Sequence, residues 1–129
     1  MDTAAILELI KETAEEVINP RFRALERADV ESKTSPDDLV TIADREAEAL
    51  LSSALRRIYP GALVIGEEAV FANPELRRKL PGAEHAFVID PIDGTRNFVE
   101  GRQEHGVMLA ETRNGITTRG WIWQPRTGR

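Results

Sequence analysis

The sequence of 129 residues contains no cysteine, and this absence excludes disulfide bonds, thiolate zinc sites and thiol redox chemistry. A basic surplus is also missing: the formal net charge is -5, and no stripe of lysine and arginine interleaves with aromatic residues. A nucleic-acid partner is therefore not expected. The N-terminal stretch "MDTAAILELIKETAEE" has no continuous apolar run, which argues against a signal peptide and a membrane span. We expect one cytoplasmic domain over residues 1–129, with no membrane partner.

Two stretches in the first half repeat apolar residues at helical spacing. The first covers about residues 3–28, and Pro20 should kink or break it because proline has no amide hydrogen. The second covers about residues 41–58, with Thr41 as its predicted N-cap and "YPG" as its stop signal. Residues 29–40 are rich in serine, threonine, proline and aspartate, so they predict a loop between the two helices.

The second half changes to short apolar runs separated by turn residues: "ALVIG", "AFVID", "HGVMLAE" and "ITTRGWIW". The segment "NPELRRKL" between the first two runs predicts a short surface helix. The Asn-Gly dipeptide in "TRNGIT" predicts a hairpin turn that pairs the last two strands antiparallel. The switch in spacing predicts an α+β fold, in which two helices pack on one face of an antiparallel sheet.

The segment "FVIDPIDGT", residues 87–95, ends a buried strand with two aspartates three positions apart. A proline fixes the backbone between them and Gly94 permits a sharp bend, so the carboxylates of Asp90 and Asp93 can converge. Close carboxylates raise each other's pKa unless a cation lies between them, and such hard oxygen ligands suit Mg²⁺ or Mn²⁺. Thr95 then opens the segment "TRNFVEG", whose first amides would form an anion site. A metal beside an anion site is what hydrolysis of a phosphate ester requires.

Each of these residues also has an ordinary structural explanation. Aspartates beside proline and glycine are common turn formers. Glu67, after "ALVIG", would be a solvated charge at a strand end, and Asp44, three residues after Thr41, resembles part of a capping box. His85 and His105 have no metal-ligand partner at helical spacing, so they are assigned no role.

The combination is more specific than its parts. The order "SKTSPDDLVTIAD", "VIGEE", "FVIDPIDGTRNFVEG" and "GWIWQP" resembles the inositol monophosphatase family of metal-dependent, lithium-sensitive phosphatases. The resemblance extends from about Lys33 onward, and the segment around Asp90 and Asp93 is its most specific part. It implies the N-terminal half of an αβαβα sandwich, with Mg²⁺, or alternatively Mn²⁺, as cofactor and a small phosphorylated molecule as substrate.

The resemblance also implies a set of metal ligands. Glu67, Asp90, Asp93 and the main-chain carbonyl of Ile92 match the family's ligands, and Asp90 would bridge two ions. Glu67 would also help to position the attacking water, which the metals activate for direct in-line attack on phosphorus without a phosphoenzyme.

The remaining site residues follow from the same resemblance. Thr95 would work with Asp44 to orient and polarise the water, while the amides of Gly94 and Thr95 would hold the phosphate. Lys33 matches a family lysine on a mobile loop near the metals. Arg96 stands where the commonest family sequence has threonine, and it is either a cation that reaches the phosphate or a surface charge.

The resemblance implies that these residues are the N-terminal metal-binding part of such a domain, without the second α/β half and its later aspartate. We therefore expect a weak second metal site, impaired catalysis, and an exposed sheet edge that favours self-association into a homo-oligomer.

Three alternatives stay open. The chain could be an inactive metal-binding or assembly module. Its substrate within the family could be inositol phosphate, histidinol phosphate, or another sugar or nucleotide phosphate. A phosphatase of the haloacid-dehalogenase class also uses paired aspartates, but its second acid follows at i+2, whereas Asp93 follows Asp90 at i+3.

Overall fold

The N-terminal helix is capped by Asp2, whose carboxylate accepts a 2.7 Å hydrogen bond from the first turn. In this computed structural model, which describes residues 2–33 and 39–129, helix α1 spans Thr3–Thr13. It continues as a π-helical turn, Ala14–Ile18, and a 3-10 turn, Asn19–Arg21. The break expected at Pro20 is therefore confirmed, but the predicted helix over residues 3–28 was too long. Proline has no amide hydrogen and crowds the preceding turn, which agrees with the end of helical structure at Arg21.

Helix α2, Ile42–Ile58, begins at the predicted N-cap. The Thr41 hydroxyl oxygen accepts hydrogen bonds from the amides of Ala43 (3.1 Å) and Asp44 (3.3 Å). In return, the Asp44 carboxylate accepts a 2.8 Å bond from the Thr41 amide. This reciprocal pair is a capping box with aspartate at its third position, as the sequence predicts.

Four strands of the second half form one sheet within the described residues, and each is paired with the next along the chain. They are β3 (Leu63–Gly66), β4 (His85–Asp93), β5 (Gly106–Arg113) and β6 (Ile116–Trp123). The α+β class is confirmed, but the sheet is mixed, because β3 pairs parallel to β4 and the other two pairs are antiparallel. The crossover between β3 and β4 carries helix α3, Glu67–Ala72, and the expected short surface helix, a 3-10 segment over Pro74–Lys79. A connection of this length allows parallel pairing, which a tight turn does not.

The last two strands are joined by the predicted hairpin turn. Asn114 and Gly115 both have positive φ angles, 53° and 81°. Two adjacent residues in this conformation match the right-handed twist of antiparallel strands. The Asn-Gly dipeptide therefore sets the pairing of β5 with β6 next to the turn, while an irregularity between Glu111 and Thr112 shifts the register farther along.

Helices α1 and α2 pack against one face of the sheet, where the side chains are fully or nearly fully buried. The principal members of this core are Ile6, Ile10, Leu51, Leu55, Phe87, Ile89 and Val107. The sheet thus has one face covered by helices, and β6 forms an outer strand on which Ile122 is 62% exposed.

The predicted loop over residues 29–40 is partly extended. Strands β1 (Val30–Ser32) and β2 (Leu39–Thr41) pair antiparallel as a separate two-stranded ribbon. Residues 34–38 lie outside the described residues. The ribbon leads directly into the N-cap of α2, and Lys33 follows its first strand.

Within the part of the chain that the structure describes, none of the helices combines the length and the apolar character needed to cross a membrane.

Candidate metal and phosphate site

Two acidic residues meet where the parallel strands β3 and β4 end. Gly66, the last residue of β3, lies opposite Ile89 in the parallel register. The next residue of each strand is therefore an acid, Glu67 on one side and Asp90 on the other. Their carboxyl groups are close enough to share a hydrogen bond. The parallel pairing is thus what brings together two residues that are far apart in sequence.

Asp90 has the most strongly perturbed environment at this edge. Burial, the hydrogen bond with Glu67 and the negative charges of Glu67, Asp93 and Asp44 raise the pKa of Asp90 to about 8. Its Oδ1 atom is buried and has no hydrogen-bond partner among the described residues. An unsatisfied carboxylate oxygen amid like charges fits a hard divalent cation, which would supply both the missing partner and the missing positive charge.

An irregularity in β4 separates the two aspartates. Asp90 lies opposite Met108 and Asp93 lies opposite Gly106, so three steps along β4 match two along β5. Such a bulge bends the strand, and strand irregularities of this kind often lie beside functional sites. Asp93 is exposed at the end of the strand, whereas Asp90 is half-buried.

Gly94 makes the turn from β4 into helix α4, Thr95–Val99. Its φ of 87° lies in the left-handed region, which favours glycine. A Cβ atom at this position would also approach the carbonyl oxygen of Glu104 to 3.0 Å. Conformation and space both require glycine here, and the turn directs Thr95 back towards α2.

Thr95 and Asp44 form the hydrogen-bonded pair that the resemblance implies. The Thr95 hydroxyl lies 2.9 Å from Asp44 Oδ1 and 3.1 Å from the carbonyl oxygen of Ile92, so its single hydrogen can be donated to either. Asp44 is 1% exposed, and its Oδ2 also accepts a 2.6 Å bond from the Thr41 hydroxyl. Asp44, the aspartate of the capping box of α2, therefore also holds Thr95 beside the Ile92 carbonyl.

The surroundings of Asp44 act on its pKa in both directions. Burial raises the pKa of Asp44, and the charge of Glu67 adds to the rise, while the hydrogen bonds from Thr41 and Thr95 oppose it. The net direction is upward. A carboxylate with this balance can take up a proton more readily than an exposed aspartate.

Lys33 places its ammonium group between two acids of α3. Its Nζ atom lies 2.9 Å from Glu68 Oε1 and 3.4 Å from Glu67 Oε1, and its side chain is 5% exposed. Burial alone would lower the pKa of Lys33, but hydrogen bonds and charges from Glu68 and Glu67 outweigh burial and raise it. The structure thus brings Lys33 next to the predicted ligand Glu67.

Arg96 lies on the exposed side of α4. Its Nη1 atom pairs with Glu100 Oε1 at 3.5 Å, and its side chain is 51% exposed. This geometry is that of a solvated helix pair between residues i and i+4. It favours the surface-charge interpretation over a role in reaching the phosphate.

The ligand set offered by this part of the chain is small. In residues 2–33 and 39–129, no three histidine, aspartate or glutamate side chains are arranged to hold a metal ion together. Glu67, Asp90 and the carbonyl of Ile92, if they bound Mg²⁺, would supply only part of its coordination sphere, and water would have to complete it.

A second ionic cluster, which was not predicted from the sequence, lies at the other end of β4. His85 Nε2 lies 2.7 Å from Glu111 Oε2, and Arg119 contacts the same carboxylate through two nitrogens at 2.7 and 3.0 Å. The hydrogen bonds from Arg119 and His85, which outweigh burial, lower the pKa of Glu111 to about 2. His85 thus has a structural partner, although no role was assigned to it from the sequence.

The comparisons with known proteins agree with the architecture. The sequence profile of the Inositol monophosphatase family matches residues 2–129. The "Nus factor SuhB" of Pseudomonas aeruginosa is 42% identical over 91 residues, which are 69% of this chain and 32% of that protein. Inositol monophosphatase 1 of Rattus norvegicus is 38% identical over 99 residues, which are 77% and 33% of the two chains.

A solved structure shows the same fold. The IMPase of Thermotoga maritima superposes with a TM-score of 0.80 at 28% identity, covering 96% of this chain and 44% of that one. The present chain therefore spans less than half the length of this structural neighbour, and its alignments cover about a third of the curated relatives. With a family profile that matches nearly every residue, the chain belongs to the inositol monophosphatase family.

Proposed function

We propose that the protein binds Mg²⁺, or alternatively Mn²⁺, through Glu67, Asp90 and the main-chain carbonyl of Ile92, as part of a site that hydrolyses phosphomonoesters. The observation that carries the proposal is the buried, unpartnered Oδ1 of Asp90 beside the Glu67 carboxyl. Asp93, exposed at the same edge, would contribute to a second metal position. A small phosphorylated molecule would be the substrate.

Thr95 and Asp44 would orient the attacking water. With its hydrogen directed to Asp44 Oδ1, the Thr95 hydroxyl keeps lone pairs that can accept a hydrogen bond from water. Asp44 stabilises this orientation because its other oxygen is already held by Thr41. A bound divalent cation supplies charge neutralisation and a lowered pKa for the water. The amides of Gly94 and Thr95 would hold phosphate oxygens at the start of α4.

Solved structures of the same fold support the proposal of a Mg²⁺ cofactor and of phosphatase chemistry. A protein solved as an IMPase/NADP phosphatase, complexed with Mg²⁺ and phosphate, shares the fold with a TM-score of 0.72 at 21% identity. A staphylococcal inositol monophosphatase was solved as an inhibitory complex after soaking in LiCl, and it superposes with a TM-score of 0.79 at 22% identity. Lithium competition at the site is therefore part of the proposal.

A second candidate function is that of a metal-binding or assembly fragment without activity. The observation that favours it is that, among the described residues, no three acidic or histidine side chains are arranged to hold a metal ion together. The exposed Ile122 on strand β6 agrees with an assembly role. Self-association into a homo-oligomer would follow from the exposed edge, and light scattering of the purified chain tests it.

Metal binding is tested by calorimetric titration of Mg²⁺ and Mn²⁺ into the wild type and the Asp90→Asn variant. We expect the variant to bind at least about 10-fold more weakly, because it loses a ligand and a negative charge together. Glu84→Gln is the matched control, since Glu84 is an exposed acid just before β4. Equal affinities in the wild type and Asp90→Asn would contradict the proposed site.

The haloacid-dehalogenase mechanism has its own test. In that mechanism an aspartate attacks phosphorus and forms an aspartyl-phosphate. Trapping and mass spectrometry with a phosphomonoester should find no phosphate on Asp90, whereas a phosphorylated Asp90 would favour that mechanism over activation of water.

A further inference from the structure

The helix that carries Glu67 is anchored by a buried carboxylate from α2. Glu48 Oε1 accepts a 2.7 Å hydrogen bond from the amide of Glu68, and its Oε2 accepts a 2.9 Å bond from the amide of Ala69. Glu48 is 8% exposed. It therefore satisfies two of the amides that have no partner inside α3, and it places a negative charge at the positive end of that helix.

Gly66 leaves the space that this carboxylate fills. A Cβ atom on residue 66 would overlap the Cγ, Cδ and Oε1 atoms of Glu48. The φ of Gly66 is -106°, which any residue can adopt. The Glu48 carboxylate can thus keep this position only beside a residue that has no Cβ atom, and the requirement concerns space and not conformation.

The anchor is important because α3 is short. It spans six residues, Glu67–Ala72, and a helix of this length has no stability of its own. Its position depends on what holds its ends. Glu67 is the first residue of α3 and Glu48 binds the amides of the next two, so a shift of this turn would move Glu67 relative to Asp90.

Helix α2 thereby supports both halves of the site from one face. Asp44 and Glu48 are four residues apart, and this spacing places them one turn apart on the same side of the helix. Asp44 holds Thr95, and Glu48 holds the turn that begins with Glu67. The distance between these two carboxylates on α2 therefore helps to determine the distance between Thr95 and Glu67.

We propose that Glu48 is a positioning residue, which fixes Glu67 for cation binding through the backbone of α3 without touching the ion. The inference rests on the proposed metal site. It predicts that metal affinity depends on the contact between Glu48 and α3, and not merely on the negative charge of Glu48.

The test compares the wild type with Glu48→Ala, Glu48→Gln, Gly66→Ala and the double variant Glu48→Ala/Gly66→Ala, by calorimetric titration of Mn²⁺. Glu48→Ala should bind about 10-fold more weakly or worse, as is typical when a group that orients a metal ligand is removed. Glu48→Gln keeps one acceptor for the two amides, so its affinity should be intermediate.

Gly66→Ala separates position from charge. It retains the carboxylate but displaces it, so affinity should fall about as far as in Glu48→Ala. In the Glu48→Ala background the added methyl group enters vacated space and should cause no further loss. Additive losses in the double variant would overturn the proposal, because they would mean that the two residues act independently.

Two further measurements complete the design. Glu46→Ala removes an acid from the same helix, one that pairs with Arg21 at 2.6 Å, and it should change affinity less than about twofold. Amide hydrogen exchange in EDTA should accelerate at Glu68 and Ala69 in Glu48→Ala, while core amides stay protected.

The outcomes distinguish the inference from the function on which it rests. A wild type that binds no divalent cation would contradict the proposed function. Metal binding that is lost in Asp90→Asn but unchanged in Glu48→Ala and Gly66→Ala would overturn the role of Glu48 alone. Unchanged exchange at Glu68 and Ala69 would refute the anchor itself. If Glu48→Ala fails to fold, the metal affinities of Glu48→Gln and Gly66→Ala test the same role of Glu48.

Discussion

Replacement of Asp90 by asparagine should stabilise the metal-free protein while it removes the stabilisation by Mg²⁺. Burial disfavours the charged form of Asp90. The negative charges of the nearby acids Glu67, Asp93 and Asp44 disfavour it further. Asparagine has nearly the same shape, carries no charge, and can donate a hydrogen bond to Glu67. The substitution should therefore raise the free energy of unfolding in EDTA and reduce the gain in this free energy on addition of Mg²⁺.

The magnitude follows from the shift in pKa. Asp90 has a pKa of about 8 in the fold against 3.8 in the unfolded chain. Because the folded pKa is the higher one, stability is greatest below pH 3.8 and falls as the pH rises through 8. At pH 7, which is about 3 pH units above the unfolded pKa, the raised pKa lowers the free energy of unfolding by up to about 4 kcal/mol, at about 1.36 kcal/mol per unit. Solvent screens part of this at a half-buried group, so Asp90→Asn should gain about 2–4 kcal/mol.

The assay is urea denaturation in EDTA at several values between about pH 5 and pH 8, repeated with Mg²⁺. The gain of the variant over the wild type should grow with pH. Asp93→Asn is the control: this exposed residue should change metal-free stability by less than about 1 kcal/mol. A metal-free Asp90→Asn protein that is no more stable than the wild type at pH 8 would refute the electrostatic account of the site.

Three other outcomes are expected. Thr95→Val should lower the free energy of unfolding by about 1–3 kcal/mol, because the buried Asp44 carboxylate loses a hydrogen-bond donor. Thr95→Ser, which keeps the hydroxyl, should retain the wild-type stability. Equal stability of Thr95→Val and the wild type in urea would contradict the hydrogen bond between Thr95 and Asp44. Glu111→Gln should destabilise the fold by about 3 kcal/mol near neutral pH, and this difference should shrink as the pH falls from 4.5 towards 2, because the folded pKa of Glu111 is the lower one. A denaturation series that shows the same difference at every pH would contradict this. The 129-residue chain should release phosphate from phosphomonoesters orders of magnitude more slowly than a full-length relative assayed beside it, since no three acidic or histidine side chains of the described residues are arranged to hold a metal ion together. Equal turnover would show that the residues present suffice.

Local signals predicted the features that depend on neighbouring residues. Thr41 and Asp44 are three positions apart, so the capping box and the start of α2 could be recognised without knowledge of the fold. The same holds for Asn114 and Gly115, whose positive φ angles define the hairpin. The break at Pro20 was also predicted, although apolar periodicity beyond it made the first helix appear longer than it is.

Long-range features could not be predicted in this way. The parallel pairing of β3 with β4 depends on how a long connection crosses the sheet, and apolar runs do not encode strand direction. Glu48 was overlooked because its partners are main-chain amides, which leave no mark on the sequence except the glycine at position 66. The proposed metal ligands Glu67 and Asp90 were inferred from family resemblance, and their convergence depends on the parallel register.

The parallel pairing of β3 with β4 also has a kinetic consequence. Glu67 and Asp90 become neighbours only after residues 67–84 have closed as a crossover, and closing such a segment costs entropy before the strands gain their contacts. The proposed ion site should therefore be absent from early folding intermediates and form late, close to the native state. An interaction that forms after the transition state leaves the folding rate unchanged and slows unfolding. Divalent cations should thus lengthen the lifetime of the folded chain in stopped-flow experiments without accelerating its refolding.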